Sequence, residues 1–154
     1  MDIKELHDLI ETGIGMVVAT RDGMLLPDIC EGYGIVLSAD AKSCTIFISS
    51  ARSQAALKNI QDNGRVAISL SRPCTYKAAQ IKGRVLKTRT MTDSEQQASE
   101  KWLSGYRKEI QLIGVMNETA QGLLRHSDIA LDVAIDNIFV QTPGPEAGRI
   151  MGTE

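Results

Sequence analysis

Two alternating apolar runs separated by only four residues limit this chain more than any other feature. In RVAISLS (65–71), Val66, Ile68 and Leu70 alternate with Arg65, Ala67, Ser69 and Ser71. After the turn RPCT, a longer run, YKAAQIKGRVLKTRT (76–90), sets Ile81 and Val85 against Gln80, Lys82 and Arg84. Period-two alternation sends successive side chains to opposite faces of a strand, and so short a link joins strands only in antiparallel fashion. One face of each strand is buried. The other is small or polar in 65–71 and, in the longer strand, carries a row of long polar side chains that either meets solvent or lines a cleft facing a ligand or another subunit.

The rest of the chain extends this pattern. GMVVATR (15–21) and MLLPDICE (24–31) read as a hairpin turning at Asp22-Gly23, with Pro27 confining the second strand to an edge or a bulge. YGIVLS (33–38) and CTIFISS (44–50) form another pair across the polar turn ADAKS. In DIALDVAIDNIFVQT (128–142), Ile129, Leu131, Val133 and Ile135 share one face. Helical spacing appears over 2–12, with Asp2 as cap, Gly13 as stop and a stripe of Ile3, Leu6, Leu9 and Ile10. It returns over 53–63 and, after a capping box from Thr92 to Glu95, over 92–114, where Ala98, Trp102, Tyr106, Ile110 and Ile113 lie on one side. A short helix is expected at about 119–126, and TPGPEAGRIMGTE (142–154) has no apolar period and reads as an extended tail. These elements do not alternate as βαβ units. They predict an α+β fold, an antiparallel barrel with packed helices, and 154 residues suit a single domain over 1–154.

Several kinds of chemistry are excluded by what the chain lacks. With a net charge of −2 and no block of Lys and Arg, it offers no stripe to neutralise a nucleic-acid backbone. Its apolar runs are too short to span a membrane, and the charged start MDIKELHDLIETG is not a signal peptide, so a cytoplasmic location is expected. Cys30, Cys44 and Cys74 form no CxxC pair and suit a reducing compartment, with packing as the expected role of Cys44 and Cys74. His7 and His126 stand alone, so no metal site is expected. GxGxxG before a helix, GxxxxGK[ST] and GxSxG are all absent. What remains is a place to bind something.

That place is the corner in TIFISSARSQAALKNIQDNGRVAISL (45–70), where a strand hands over to a helix through Ser49-Ser50-Ala51-Arg52-Ser53. Unpaired N–H groups and the positive end of the helix dipole stabilise an anion there, to which Ser50 and Ser53 add hydroxyls and Arg52 a guanidinium suited to phosphate. The alternative is plain capping by Ser50 or Ser53, worth about 1 kcal/mol, with Arg52 solvated. Physical chemistry alone leaves both open.

SRPCTYKAAQIKGRV (71–85), with NGRVAISL before it and QTPGPEAGRIM near the end, resembles the pyridoxamine 5'-phosphate oxidase-like FMN-binding split-barrel family, most closely a small branch in which a Pro-x-Thr-Tyr turn precedes a Gln-x-Lys-Gly strand. The likeness runs over about 15–85 and 128–149. It implies an antiparallel split β-barrel, a homodimer, and FMN in two clefts between subunits. It also implies that Ser49, Ser50, Arg52, Ser53 and Gln54 hold the phosphate, that Gln80 and Lys82 approach the flavin, and that the main chain of Val17, Val18, Ala19 and Thr20 meets the ring. Oxidases of the family carry Ser-Arg-Lys where this chain has Arg52-Ser53-Gln54, and a glutamine where it has Ala78; of their basic and aromatic residues near the end, only Arg149 has a counterpart. Oxidation of pyridoxamine phosphate is therefore not expected. The expectation is an FMN-dependent oxidoreductase of unnamed substrate and electron donor. Its alternatives are a non-catalytic flavin- or haem-binding module or sensor, a deazaflavin in place of FMN, and a structural dimer without cofactor.

Overall fold

The computed structural model describes residues 1–122 and 126–152. Its strands are β1 (Gly15–Arg21), β2 (Pro27–Glu31), β3 (Ile35–Leu37), β4 (Ser43–Ile48), β5 (Arg65–Ser71), β6 (Ala78–Thr90) and β7 (Ile129–Val140). They form one sheet in the order β2-β1-β5-β6-β7-β4-β3, every neighbouring pair antiparallel. The sheet curls into a half-barrel, packed with α1 (Ile3–Glu11), α2 (Gln54–Asn63), α3 (Asp93–Leu112) and α4 (Asn117–Gly122). A single 3-10 turn, Ser50–Arg52, links β4 to α2. This is the α+β antiparallel barrel expected from the strand pattern, in the split form that the family resemblance implies. No helix among the described residues is long and apolar enough to cross a membrane.

Register places the core on one side of the sheet. Cys30, Val18, Ile68, Ile81 and Ile138 face one another across five strands, all buried. Leu6 and Leu9 of α1, Ala56 and Ile60 of α2 and Trp102 of α3 close over this cluster. Fully burying a Val, Leu or Ile contributes about 1.5–3 kcal/mol, so this layer dominates the stabilisation.

The glycine of QIKGRV is explained by a bulge. Lys82 faces Asn137 but Gly83 faces Ile135, which leaves Asp136 as an extra residue in β7. A Cβ on Gly83 would stand 2.2 Å from the Ala134 carbonyl oxygen, so no side chain fits there. The slip also switches parity along β7: Leu131 and Val133 are buried before it, Ile138 and Val140 after it. A second slip, between Val85 and Lys87, leaves Leu86 over and exposed.

Two polar clamps hold α3 against the barrel. Arg89 of β6 donates to both carboxylate oxygens of Glu95 (2.8 and 2.7 Å) and both of Asp132 in β7 (2.9 Å each). Arg72 grips buried Glu109 in the same two-pronged way, at 3.1 and 2.8 Å. Gly13, at φ 79°, lies so close to Gly105 that a Cβ would meet its carbonyl carbon at 2.2 Å. The capping box expected at Thr92 is present, and Asp2, expected as a cap, forms a capping box of its own with Glu5.

Some expectations need correction. The first hairpin turns through residues 22–26 rather than tightly at Asp22-Gly23, because the Asp22 carboxylate accepts the N–H groups of Met24 and Leu26 and builds a wider loop. The expected strand over 33–38 shortens to β3. Ile113, expected on the buried stripe of α3, caps that helix and is exposed, and Ile3 is likewise largely exposed. The tail is not extended: Gly148 N–H returns to the Val140 carbonyl, Met151 N–H reaches that of Ile138, and Phe139 bridges to Ile150. The helix expected at about 119–126 is observed as α4; residues 123–125 of that expectation lie outside the described residues.

Candidate functional site

On the outer face of the sheet, one residue out of register from the core row, runs a second row. Gln80 pairs with Ser69, Ser69 with Val17, and Val17 with Glu31; on the other side Gln80 pairs with Phe139. Neighbouring strands lie about 4.8 Å apart, so the row from Gln80 to Glu31 spans about 14 Å. Alongside it Lys82, Ala67, Ala19 and Ile29 form a parallel row. Lys82 Nζ stands 4.8 Å over the Phe139 ring and borders a cleft of about 450 Å³ that Ala19 and Ala67 also line. Val18 and Thr20 point inward: Val18 is fully buried, and the buried Asn59 amide donates to Thr20 Oγ1 at 3.0 Å, tying α2 to β1.

The row ends at the corner. Glu31 Oε2 lies 3.7 Å from the Arg52 guanidinium and accepts a 2.7 Å hydrogen bond from the Tyr33 hydroxyl. Arg52 is about half exposed, and Gln54 is exposed at the first position of α2. Register and an ion pair thus join Gln80, Lys82, Val17, Ala19 and Arg52, residues scattered over 66 positions of sequence.

Inside the corner the donors are divided. Ser50 is not free to receive an anion: its backbone N–H donates to Asp128 Oδ1 at 2.7 Å and its hydroxyl to Asp128 Oδ2. Ser49 is buried at the start of the 3-10 turn. Ser53 occupies the cap position of α2 yet makes no capping bond, and its buried hydroxyl has no hydrogen-bond partner of ordinary geometry among the described residues. The first turn of α2 is therefore left without a side-chain cap, and its N–H groups remain the donors on offer. Neither Ser50 nor Ser53 acts as the simple N-cap that the capping alternative requires.

Titration at the site follows from burial and neighbouring charge. Burial pushes the Cys30 thiol up, against a pull from the Ser53 hydroxyl and with help from Asp28 and Glu31. Burial likewise raises the Tyr106 phenol, to which Glu31 adds, and it pushes Cys44 up to about 12. Such thiols stay protonated and unreactive near neutral pH. Glu31, Ser69 and Asp128 had no part in the expected site. Alternation shows Ser69 on the polar face, but only the strand order puts it between Val17 and Gln80, and nothing local marks Asp128 as the partner of a serine 78 residues away.

No family model matches this sequence, and no curated protein matches it either. Solved structures do. HupZ of Group A Streptococcus superposes with a TM-score of 0.58 at 21% identity, covering 96% of this chain and 100% of its own. An F420 reductase superposes at 0.55 and 15% identity, over 86% and 94% of the two chains. A Lactobacillus delbrueckii protein assigned as a pyridoxamine 5'-phosphate oxidase does so at 0.55 and 13%, over 89% and 92%. At these identities the likeness defines the fold: this chain has the split barrel of the pyridoxamine 5'-phosphate oxidase-like proteins.

Proposed function

We propose that this protein binds FMN, or a closely related flavin, on the outer face of its sheet and works as a homodimeric flavoprotein oxidoreductase. The observation that carries this reading is the row Gln80, Ser69, Val17 and Glu31, which leads across the sheet to Arg52 and an α2 N-terminus without a side-chain cap. A flat ring fits the low ground at Ala19, Ala67 and Ser69. A phosphate fits the helix end, where dipole and free N–H groups favour an anion and Arg52 supplies a permanent positive charge. Two structural relatives bear the names of redox enzymes, a reductase and an oxidase.

The flavin, once bound, supplies the hydride or electron transfer itself. This chain's residues do the rest. Arg52 and the N–H groups of Gln54 and its neighbours hold the phosphate end. The Gln80 amide donates to or accepts from the ring edge, and Lys82, resting on Phe139, keeps a cation beside it. Val17 is 41% and Ile29 68% exposed on this face, next to the exposed Met24, Leu25 and Leu26, and a second copy laid over them excludes water from the ring.

A flavin- or haem-binding module without turnover is the second reading. It draws on the middle of the row, where Val17, Ser69 and Gln80 carry no group that titrates near neutrality. An absorption spectrum of the purified protein, an FMN titration and sedimentation test the proposal. A yellow dimer whose flavin a nicotinamide donor reduces supports turnover, and bound flavin that no donor reduces supports the module. A colourless protein whose melting temperature does not respond to FMN refutes both flavin readings.

A further inference from the structure

Between α3 and the first strands lies a pocket of about 260 Å³ whose α3 wall, Trp102 and Tyr106, the flavin reading leaves unused. One wall is aromatic: Trp102 and Tyr106 stack at 5.6 Å between ring centroids, with their planes 20° apart. Gly15 keeps the space open, since a Cβ there would already touch the Tyr106 ring at 3.5 Å. Ser69 and Ser71 supply hydroxyls, and Val17 an apolar edge. Glu31 is the one formally charged residue of the lining. Its carboxylate is only partly offset by Arg52, half exposed and 3.7 Å away. The indole Nε1–H of Trp102 is buried and has no hydrogen-bond partner among the described residues.

We infer that this pocket binds a small planar aromatic cation, one ring in size, lying against the Trp102 and Tyr106 wall with its positive charge toward Glu31. The volume sets the size, below the roughly 300 Å³ at which pockets for drug-sized ligands begin. Stacked aromatic faces attract flat rings and cations, and a carboxylate in the lining, only partly offset by Arg52, disfavours anions. The pocket is complete within one chain, so it stands or falls apart from the flavin reading. Because Val17, Ser69 and Glu31 belong both to its lining and to the outer row, its occupant would sit beside a ligand on that row.

The test uses the only tryptophan in the chain, Trp102. Being 9% exposed, it is poorly reached by random collision at low probe concentration, whereas an occupant of the pocket lies close to it. Three probes of one size are titrated into the purified protein: 1-methylnicotinamide as cation, nicotinamide as neutral ring, and nicotinate as anion. The expected result is saturable quenching in that order of affinity, with the anion at least tenfold weaker than the cation. Glu31→Gln, which keeps an acceptor for Tyr33, brings the cation-to-anion ratio close to one and leaves the neutral probe little changed. Ser71→Leu, which fills the pocket from an exposed strand position, weakens all three. Linear quenching no stronger than that of acrylamide overturns the inference, as does saturable binding without charge order, or a ratio unmoved by Glu31→Gln. Should Ser71→Leu fail to fold, the Glu31→Gln ratio decides alone.

Discussion

Acid should release α3 from the barrel, and one carboxylate should account for a measurable share. Arg89 and the Thr92 cap hold the Glu95 carboxyl down, from 4.5 to about 2, the two-pronged Arg89 contact being the larger cause. A folded-state value below the unfolded one means stability that is fully present above about pH 4.5 and disappears as the pH falls through about 2. Each tenfold change in proton affinity is worth about 1.4 kcal/mol, so the shift corresponds to about 3 kcal/mol, trimmed toward 2 by solvent reaching the clamp's edge. Glu95 is 17% exposed, so the correction is modest. Glu95→Gln removes the charge but keeps a residue that serves the capping box at that position. At pH 7 the variant should be about 2–3 kcal/mol less stable than the parent, with a melting temperature lower by roughly 4–12 °C. The gap should close as the pH approaches 2, where the parent has lost the same interaction. Urea unfolding followed by circular dichroism at pH 7, 5, 4 and 3 measures it. A gap of the same size at every pH would assign the loss to packing and refute the charge argument.

Other perturbations probe the fold and the corner. Gly83→Ala puts a methyl group against the Ala134 carbonyl and should cost about 3 kcal/mol, read from urea unfolding. Tyr76, exposed and held at φ 56°, should tolerate Tyr76→Gly with an unchanged or higher melting temperature, because a non-glycine residue pays about 1–2 kcal/mol in that region. On the proposed flavin site, Arg52→Ala should weaken FMN several-fold while changing riboflavin less, as flavin-fluorescence titration would show. Asp128→Asn, which removes a negative charge from the same corner, should shift the FMN-to-riboflavin preference the other way; equal effects on both ligands would place the phosphate elsewhere.

The strand pattern was readable because burial writes itself into a strand with period two. Val66, Ile68 and Leu70 declare their face without any knowledge of their neighbours, and Asp2 and Thr92 declare their helices through contacts three residues away. At the first hairpin, Asp22 reaches two N–H groups beyond the glycine, a choice that the dipeptide Asp-Gly does not reveal. The tail folds back without a sequence signal, since its pairing is made by backbone groups against β7, which need no apolar period. At the corner, the local sequence shows serines, an arginine and a helix start. It does not show that Asp128, from the strand start beside β4, already holds Ser50, nor that Glu31 stands against Arg52. Glu109 and Ser99, buried polar residues on α3, were equally hidden, since their partners Arg72 and the Tyr33 carbonyl lie 37 and 66 residues away.

The outer row is fixed by the same register that fixes the core. A slip of one residue would exchange Val18, Ile68, Ile81 and Ile138 for Val17, Ser69, Gln80 and Phe139, so the core row's burial holds the outer row in place at no separate cost. Burial of the inner face dictates nothing about which residues the outer face carries. A face destined for water would alternate apolar-in with charged-out, as Arg65 and Arg84 do at one end of β5 and β6. Instead the middle of the outer face is Val17, Ala19, Ala67 and Ser69, small or apolar, with Ile29 beside them and charges only at the margins, Glu31 and Lys82. A low, weakly polar floor with charged ends suits a flat ligand that carries polar groups at its extremities, and it suits a second copy of the chain closing over what is left. That division of charge, rather than any one residue at the corner, is the strongest argument that the face is built to be covered.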